Sequence, residues 1–398
     1  MSRLSEKLGK DPLLEEERQA KALGVYPYFR AISSDQDAEV LIDNKKVLMF
    51  GSNSYLGLTN HPKVKQAGIE AIKKYGTGCA GSPFLNGYMD IHVELEEKLA
   101  KFVGKESAIV YSTGFQSNLG ALSCVLGRKD YIICDERDHA SIVDGRRLSF
   151  ANIQKFKHND MASLEEVLMK LPEDAIKLIV VDGVFSMEGD IANLPEIVRL
   201  SEKYNANIYV DEAHSLGVLG KEGRGVCNHF GLTDKVDIIV GTFSKSLATI
   251  GGFVAADSKT MDFLRHHSRP YIFSASISPA ATASVIAALD IIHDEPERLS
   301  HLWEITNYSL SAFRSYGFEI GPTETPIIPL YIRDMQKTFA ITRELLDNGI
   351  FVSPVIPPAC PPEETLIRFA LMATHSKEQI DRAIEVLVKV FRKYGIIK

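Results

Sequence analysis

Most lysines are solvated surface charges, but Lys245 stands in Thr242-Phe243-Ser244-Lys245, straight after the apolar run 237–241 and shortly before Gly251-Gly252. An amine held among small hydroxyls at the mouth of a sheet can be desolvated and act as a Schiff-base nucleophile. Asp211 closes a second apolar run, 207–210, and opens Asp211-Glu212-Ala213-His214. A carboxylate there can keep a pyridine nitrogen protonated, which is what makes pyridoxal 5'-phosphate (PLP) an electron sink. Asp211 and Lys245 together read as a cofactor signature, with a buried ion pair as the alternative.

A phosphate needs a seat of its own, and Ser112-Thr113-Gly114-Phe115-Gln116-Ser117-Asn118 offers one where a strand gives way to a helix. N–H groups of a first helical turn bind phosphate, with glycine allowing close approach, and so do hydroxyls such as those of Thr242 and Ser244. The same turn also reads as a plain helix cap. Two histidines at strand ends, His214 and His139 in Asp135-Glu136-Arg137-Asp138-His139, suit an aromatic cofactor, one on its face and one toward its phenolic oxygen; both also fit a structural role. Arg368 interrupts the apolar stretch Leu366-Ile367-Arg368-Phe369, where a guanidinium is unfavourable unless paired. A substrate carboxylate satisfies it, and so does a salt bridge.

The elements that must hold these groups alternate. Apolar runs at 108–111, 131–134, 177–181, 207–210 and 237–241 are separated by amphipathic stretches such as 164–171 and 194–203, the rhythm of a mostly parallel sheet covered by helices. Ligands of such sheets sit beyond the carboxyl ends of the strands, where every candidate above except Arg368 falls. A strand over 251–255 is expected to close the sheet, followed by helices over 261–267 and 279–293. Upstream, a charged helix over 13–22 leads to an aromatic arm at 24–30 and a hairpin over 39–50 that turns at Asp43-Asn44-Lys45. Beyond residue 297 a helix to about 316, strands near 327–332 and 366–371, and helices over 338–348 and 377–394 suggest a smaller α+β domain. The expected division is an arm and hairpin over 1–55, a large cofactor domain over 56–290 and a small domain over 291–398.

With 398 residues, 45% hydrophobic, 24% charged and a net charge of -7, the chain has the make-up of a globular protein. No Lys/Arg block supplies the cationic footprint of a nucleic-acid binder, so the partner is expected to be small. The five cysteines, Cys79, Cys124, Cys134, Cys227 and Cys360, form no C-x-x-C pair; they read as reduced thiols, and no metal is expected. Residues 1–17 mix charges and lack the apolar stretch of a signal peptide, so a cytoplasmic chain is expected. The uncharged run 270–289 carries Pro270, Pro279 and several serines and reads as a core segment rather than a membrane span.

Gly51-Ser52-Asn53-Ser54-Tyr55-Leu56-Gly57, Tyr75-Gly76-Thr77-Gly78-Cys79-Ala80-Gly81, 135–145, Phe185-Ser186-Met187-Glu188-Gly189-Asp190, 211–214, 241–247 and 366–375 together resemble the α-oxoamine synthase family of fold-type I PLP enzymes, over nearly the whole chain. The resemblance implies an α/β fold-type I transferase, a mostly parallel central sheet covered by helices with a smaller α+β C-terminal domain. It implies that Lys245 forms the Schiff base with PLP, that Asp211 pairs with the pyridine nitrogen, that His139 stacks on the ring, and that His214 and Ser186 lie near the phenolic oxygen. Gly114, Phe115, Thr242 and Ser244 would hold the phosphate, and Asn53 and Arg368 would face the amino-acid substrate. The family shares its active site across a homodimer, so Ser274 and Ser276 are expected to reach the partner's phosphate and the arm near Tyr26 to clasp that subunit. The departure is Pro83 in Gly81-Ser82-Pro83-Phe84, where the family usually has arginine near the acyl donor; proline removes that cation and fixes the backbone. Ser82 beside it stays a substrate-binding candidate.

The activity this resemblance implies is a decarboxylative condensation of L-serine with a long-chain acyl-CoA, palmitoyl-CoA, to 3-oxosphinganine, CoA and CO2. The alternative within the family is glycine or alanine with other acyl donors, as in glycine C-acetyltransferase and 8-amino-7-oxononanoate synthase. The alternative outside it is a PLP-binding regulatory protein without turnover. A product with a lipid tail leaves peripheral contact with the inner membrane open.

Overall fold

The computed structural model describes residues 2–357 and 359–398; Met1, the start of the charged opening stretch, lies outside them. The strands are β1 (Glu39–Ile42), β2 (Lys45–Met49), β3 (Ser107–Tyr111), β4 (Tyr131–Asp135), β5 (Asn152–Phe156), β6 (Lys177–Asp182) and β7 (Asn207–Asp211). They continue as β8 (Ile238–Thr242), β9 (Gly252–Ala256), β10 (Ile327–Tyr331), β11 (Ile350–Phe351), β12 (Ser353–Val355) and β13 (Leu366–Ala370). Two compact units emerge: Asn53–Glu304 with Glu324–Pro326, and Met1–Ser52 with Ile305–Thr323 and Ile327–Lys398.

The larger unit is built on a sheet of order β3-β9-β8-β7-β6-β4-β5. Strands β4 to β8 run parallel, as their near-continuous Val/Ile runs and helical crossovers demand. The strand expected to close the sheet is β9, and it is not the last strand of the order: it lies antiparallel between β3 and β8, and all of its residues are buried. Gly-Phe-Val-Ala-Ala supplies the small and apolar side chains that a strand covered on both faces needs. The edge strand β5, Asn-Ile-Gln-Lys-Phe, escaped the sequence reading because only Phe156 is buried and nothing in it alternates cleanly. The uncharged run 270–289 passes into helix Pro279–Asp294, which buries Val285, Ala288, Leu289 and Ile292 in the protein. Among the described residues no helix is long and apolar enough to cross a membrane.

In the other unit the β1–β2 hairpin turns through Asp43 and Asn44, both with φ in the left-handed region (51° and 59°), the turn chemistry expected there. β11 adds to β2 in parallel, and β10, β13 and β12 form a second, antiparallel sheet. His375 stitches these parts. Its Nδ1 accepts the Met372 N–H (3.0 Å), its Nε2 donates to the Met49 carbonyl (3.0 Å), and its ring stacks on Phe50, which stacks in turn on Phe369.

Burial pushes the His375 pKa down to about 4, against the pull of the Met49 carbonyl. Unfolded, the same group titrates near 6.5. Its contribution to stability is therefore complete above that value and is lost as pH falls through about 4, a loss of roughly 3 kcal/mol. Thermal unfolding followed from pH 7 to pH 4 is expected to show this loss in the wild type and a shallower one in His375→Gln; equal slopes would exclude His375 as a source of acid sensitivity.

Candidate active site

The carboxyl ends of β4, β6, β7 and β8 and the start of helix Gly114–Leu122 surround one cavity of about 370 Å³. Lys245, Asp211, His139, His214, Gly114, Phe115, Thr242 and Ser244 line it, together with Asn118, Ser141 and Asp182. Parallel register explains the convergence. Asp182 and Asp211 are cross-strand partners at the ends of β6 and β7, and Asp211 faces Val240 of β8, two residues before Thr242.

Hydrogen bonds fix Asp211 from both sides. Its Oδ2 accepts Asn118 Nδ2 (2.7 Å) and its Oδ1 accepts the Ala213 N–H (2.9 Å). The Asn118 amide oxygen accepts from Tyr209 (2.6 Å), which orients the amide, and its Nδ2 also donates to Ser141 Oγ (2.8 Å). Ser141 can then donate only onward, to His139 Nδ1 (2.7 Å), which also accepts the Ser141 N–H (3.2 Å). Nδ1 is thus an acceptor, and neutral His139 carries its proton on Nε2. Burial lowers the His139 pKa, with the charge of Lys245 acting the same way and that of Asp211 opposing, so the neutral form prevails. Asp182 accepts the His139 N–H (2.7 Å). Burial, helped by the negative charge of Asp211, holds the Asp182 carboxyl well above its usual range.

The phosphate seat is equally specific. Thr113 caps the helix by accepting the Gln116 N–H (3.1 Å), which leaves the N–H groups of Gly114 and Phe115 at the cavity. Thr242 Oγ1 lies 3.0 Å from Ser244 Oγ. A Cβ on Gly114 would fall 2.6 Å from Thr242 Cβ and Oγ1, so only glycine lets these two halves approach. The donor set fits PLP: an amine, a fixed carboxylate, a flat neutral imidazole, and a helix start with two hydroxyls. Gly114→Ala is expected to weaken PLP binding by about tenfold or more by wedging the halves apart; fluorescence titration of the apo-protein measures it, and unchanged affinity would place the phosphate elsewhere.

Asn118, Ser141, Tyr209 and Tyr55 were not singled out by sequence reading. Asn118 had a signal, one helical turn beyond Gly114; Tyr55 stands in the stretch 51–57, which says nothing of its partners, and it reaches His214 Nδ1 (2.6 Å) and Asn53 Oδ1 (3.4 Å). Of the remaining candidates, Ser186 follows β6 in a turn outside the cavity lining, and Ser274 Oγ accepts Gln116 Nε2 (3.2 Å). The hydroxyls of Ser276 and Ser82 are buried without a hydrogen-bond partner among the described residues. Beside half-buried Pro83, Phe84 and Leu85 are exposed, so the segment presents apolar side chains to its surroundings. Arg368 belongs to the other unit, buried in β13 opposite Pro329 and Ser353.

A doubly covered, mostly parallel sheet with a lysine, a fixed carboxylate and a helix start at its carboxyl end defines a fold-type I PLP-dependent transferase. Residues 45–387 match the family model described as aminotransferase class I and II, and the chain belongs to that family, with PLP as its cofactor. It is 63% identical to a serine palmitoyltransferase of Bacteroides thetaiotaomicron, over 100% of both chains. Among solved structures, a variant of serine palmitoyltransferase from S. paucimobilis with a bound PLP–myriocin aldimine superposes with a TM-score of 0.96 at 36% identity, covering 100% of each chain. Sphingomonas wittichii serine palmitoyltransferase gives 0.95 at 39% identity, again over 100% of each.

Proposed function

We propose that the chain condenses L-serine with a long-chain acyl-CoA, palmitoyl-CoA, to 3-oxosphinganine, releasing CoA and CO2, the first step of sphingolipid synthesis. The cavity in which Lys245, Asp211 and His139 meet a phosphate seat carries this reading, in a chain 63% identical end to end to a protein named serine palmitoyltransferase.

Lys245, Asp211, Thr242, Ser244 and the 114–115 backbone would hold PLP, which when bound would supply an electron sink for bonds broken at the substrate Cα. Lys245 Nζ takes the Cα proton of serine and later returns a proton to that carbon. Asp211, locked by Asn118 and the Ala213 N–H, keeps a proton on the ring nitrogen. His139 offers a flat face and, through Nε2–H, a donor to the serine carboxylate; Arg368 is its bidentate partner, and Asn53 a further contact. His214 and Ser186 serve the phenolic oxygen, and Ser82 lies on the acyl-donor side. The new C–C bond forms from the Cα electron pair as the thioester C–S bond breaks, CoA leaves as a thiolate that takes its proton from solvent, and the carboxylate leaves as CO2. Holding the carboxylate selects which Cα bond stands ready to break.

The working unit is a homodimer in the cytoplasm, with peripheral membrane contact where the product leaves. Ser274 and Ser276 of one protomer complete the partner's phosphate seat. CoA release from serine, glycine and alanine, each paired with short and long acyl-CoA, tests the assignment. Serine with palmitoyl-CoA is expected to lead. A preference for glycine or alanine would move the chain to glycine C-acetyltransferase or 8-amino-7-oxononanoate synthase chemistry, and retained PLP without CoA release would indicate a regulatory protein.

A further inference from the structure

Behind the cavity, one imidazole joins the two loops that carry His139 and Ser186. His158, just past β5, places Nδ1 3.0 Å from Asp135 Oδ1 and Nε2 3.1 Å from Asp190 Oδ2. Asp135 ends β4 and starts the loop to His139; Asp190 closes the turn that holds Ser186. We propose that His158 is a positioning residue, a clamp between loops 135–139 and 183–191 that sets where His139 and Ser186 stand for the cofactor. The inference rests on the roles given to those two residues above.

The surroundings leave His158 little alternative. Asp135 is 1% exposed; its Oδ1 also accepts the Arg137 N–H (2.9 Å) and its Oδ2 the Asn159 N–H (2.7 Å). Asp190 Oδ2 takes Asn159 Nδ2 as well (3.1 Å), while its Oδ1 is buried without a hydrogen-bond partner among the described residues, so His158 is the cation seen to meet this carboxylate. Each imidazole nitrogen faces a carboxylate oxygen, so both must be donors; a neutral ring would turn a lone pair on one of them. The Phe185 ring packs edge-on against the imidazole at 4.4 Å, and its N–H donates to the Asp190 carbonyl (3.0 Å). Arg137 and Glu188 tie the same loops a second time (2.7 Å), Glu136 accepts the His158 N–H (3.1 Å), and Thr325 Oγ1 donates to the Gly189 carbonyl (2.8 Å). Burial alone would lower the His158 pKa, but the hydrogen bonds and charges of Asp135 and Asp190 raise it to about 10. The clamp is therefore fully in force below the ordinary value of 6.5 and is lost as pH rises through about 10.

His158→Phe keeps a ring against Phe185 and removes both donors. In the apo-protein, hydrogen exchange is expected to show protection of amides in 135–139 and 183–191 falling by about tenfold or more, with β7 and β8 unaffected, and the PLP dissociation constant rising by a similar factor. Wild-type loop protection is expected to fall between pH 9 and 11, and the variant to lack that step. Unchanged protection overturns the proposal, and so does lost protection with unchanged PLP affinity. If His158→Phe does not fold, Asp190→Asn keeps the imidazole and removes one of its carboxylates; the same loop-confined loss is expected, and its absence overturns the clamp. These readouts use the apo-chain and PLP alone, so a failure of the serine and acyl-CoA assignment, seen in wild-type turnover, leaves them independent.

Discussion

Lys245→Ala is expected to turn over serine and palmitoyl-CoA at least about 10⁴-fold more slowly than the wild type and to bind PLP no longer covalently. Alanine removes the amine proposed above to attach the cofactor and move the Cα proton, and among the described residues no other amine lines the cavity. The fold is expected to survive, because the turn is held by backbone bonds from Ala248 N–H to the Lys245 carbonyl (3.1 Å) and from Thr249 N–H to the Phe243 carbonyl (3.0 Å). A second readout separates this from general damage. The charge of Lys245 depresses the His139 pKa, so its removal raises that value, measurable by NMR titration of the imidazole. A variant retaining more than about 1% of wild-type turnover would remove Lys245 from the role of base.

Asp211→Asn is expected to lower kcat by about 10³-fold with a much smaller change in the serine KM. The neutral amide cannot hold the ring nitrogen protonated, and it cannot satisfy its own neighbours. Asn118 Nδ2 and the Ala213 N–H both donate to the present carboxylate, so an amide that turns its oxygen to one presents its NH2 to the other. The change also reaches the two neighbouring titrations in opposite environments. The Asp182 pKa falls toward the usual carboxylate range as a like charge disappears, and the His139 pKa falls further as a favourable one does. A kcat within about threefold of the wild type would take the pyridine-nitrogen role from Asp211.

Much of this site was legible in the sequence because its residues stand at strand ends, where an apolar run breaks into polar residues within one or two positions. Lys245, Asp211, His139 and Thr242 could be assigned to one sheet edge from that pattern alone, and the parallel register then placed them together. What could not be read are the partners that act across distance in the chain. Tyr55 meets His214 at a separation of 159 residues and Asn118 meets Asp211 at 93; the helix start points to the place of Asn118, but no local pattern announces either partner. The position of β9 is the same kind of blind spot, since an apolar pentapeptide declares that it is buried, not between which neighbours or in which direction. The short β11 and β12 were missed because two or three residues carry no period.

The place of β9 has a further meaning for how the protein acquires its cofactor. Gly252, its first residue, is paired with Tyr111 on one side and Thr242 on the other, the residues that lead into the two arms of the phosphate seat. A Cβ there would fall 2.5 Å from Gly114 Cα, so the helix start leans directly on this strand. Neither arm is held at its working distance until β9 slots between them. Affinity for the cofactor is thus a property of the completed sheet rather than of any local motif, and the chain becomes able to recognise PLP only when β9 has paired with both β3 and β8.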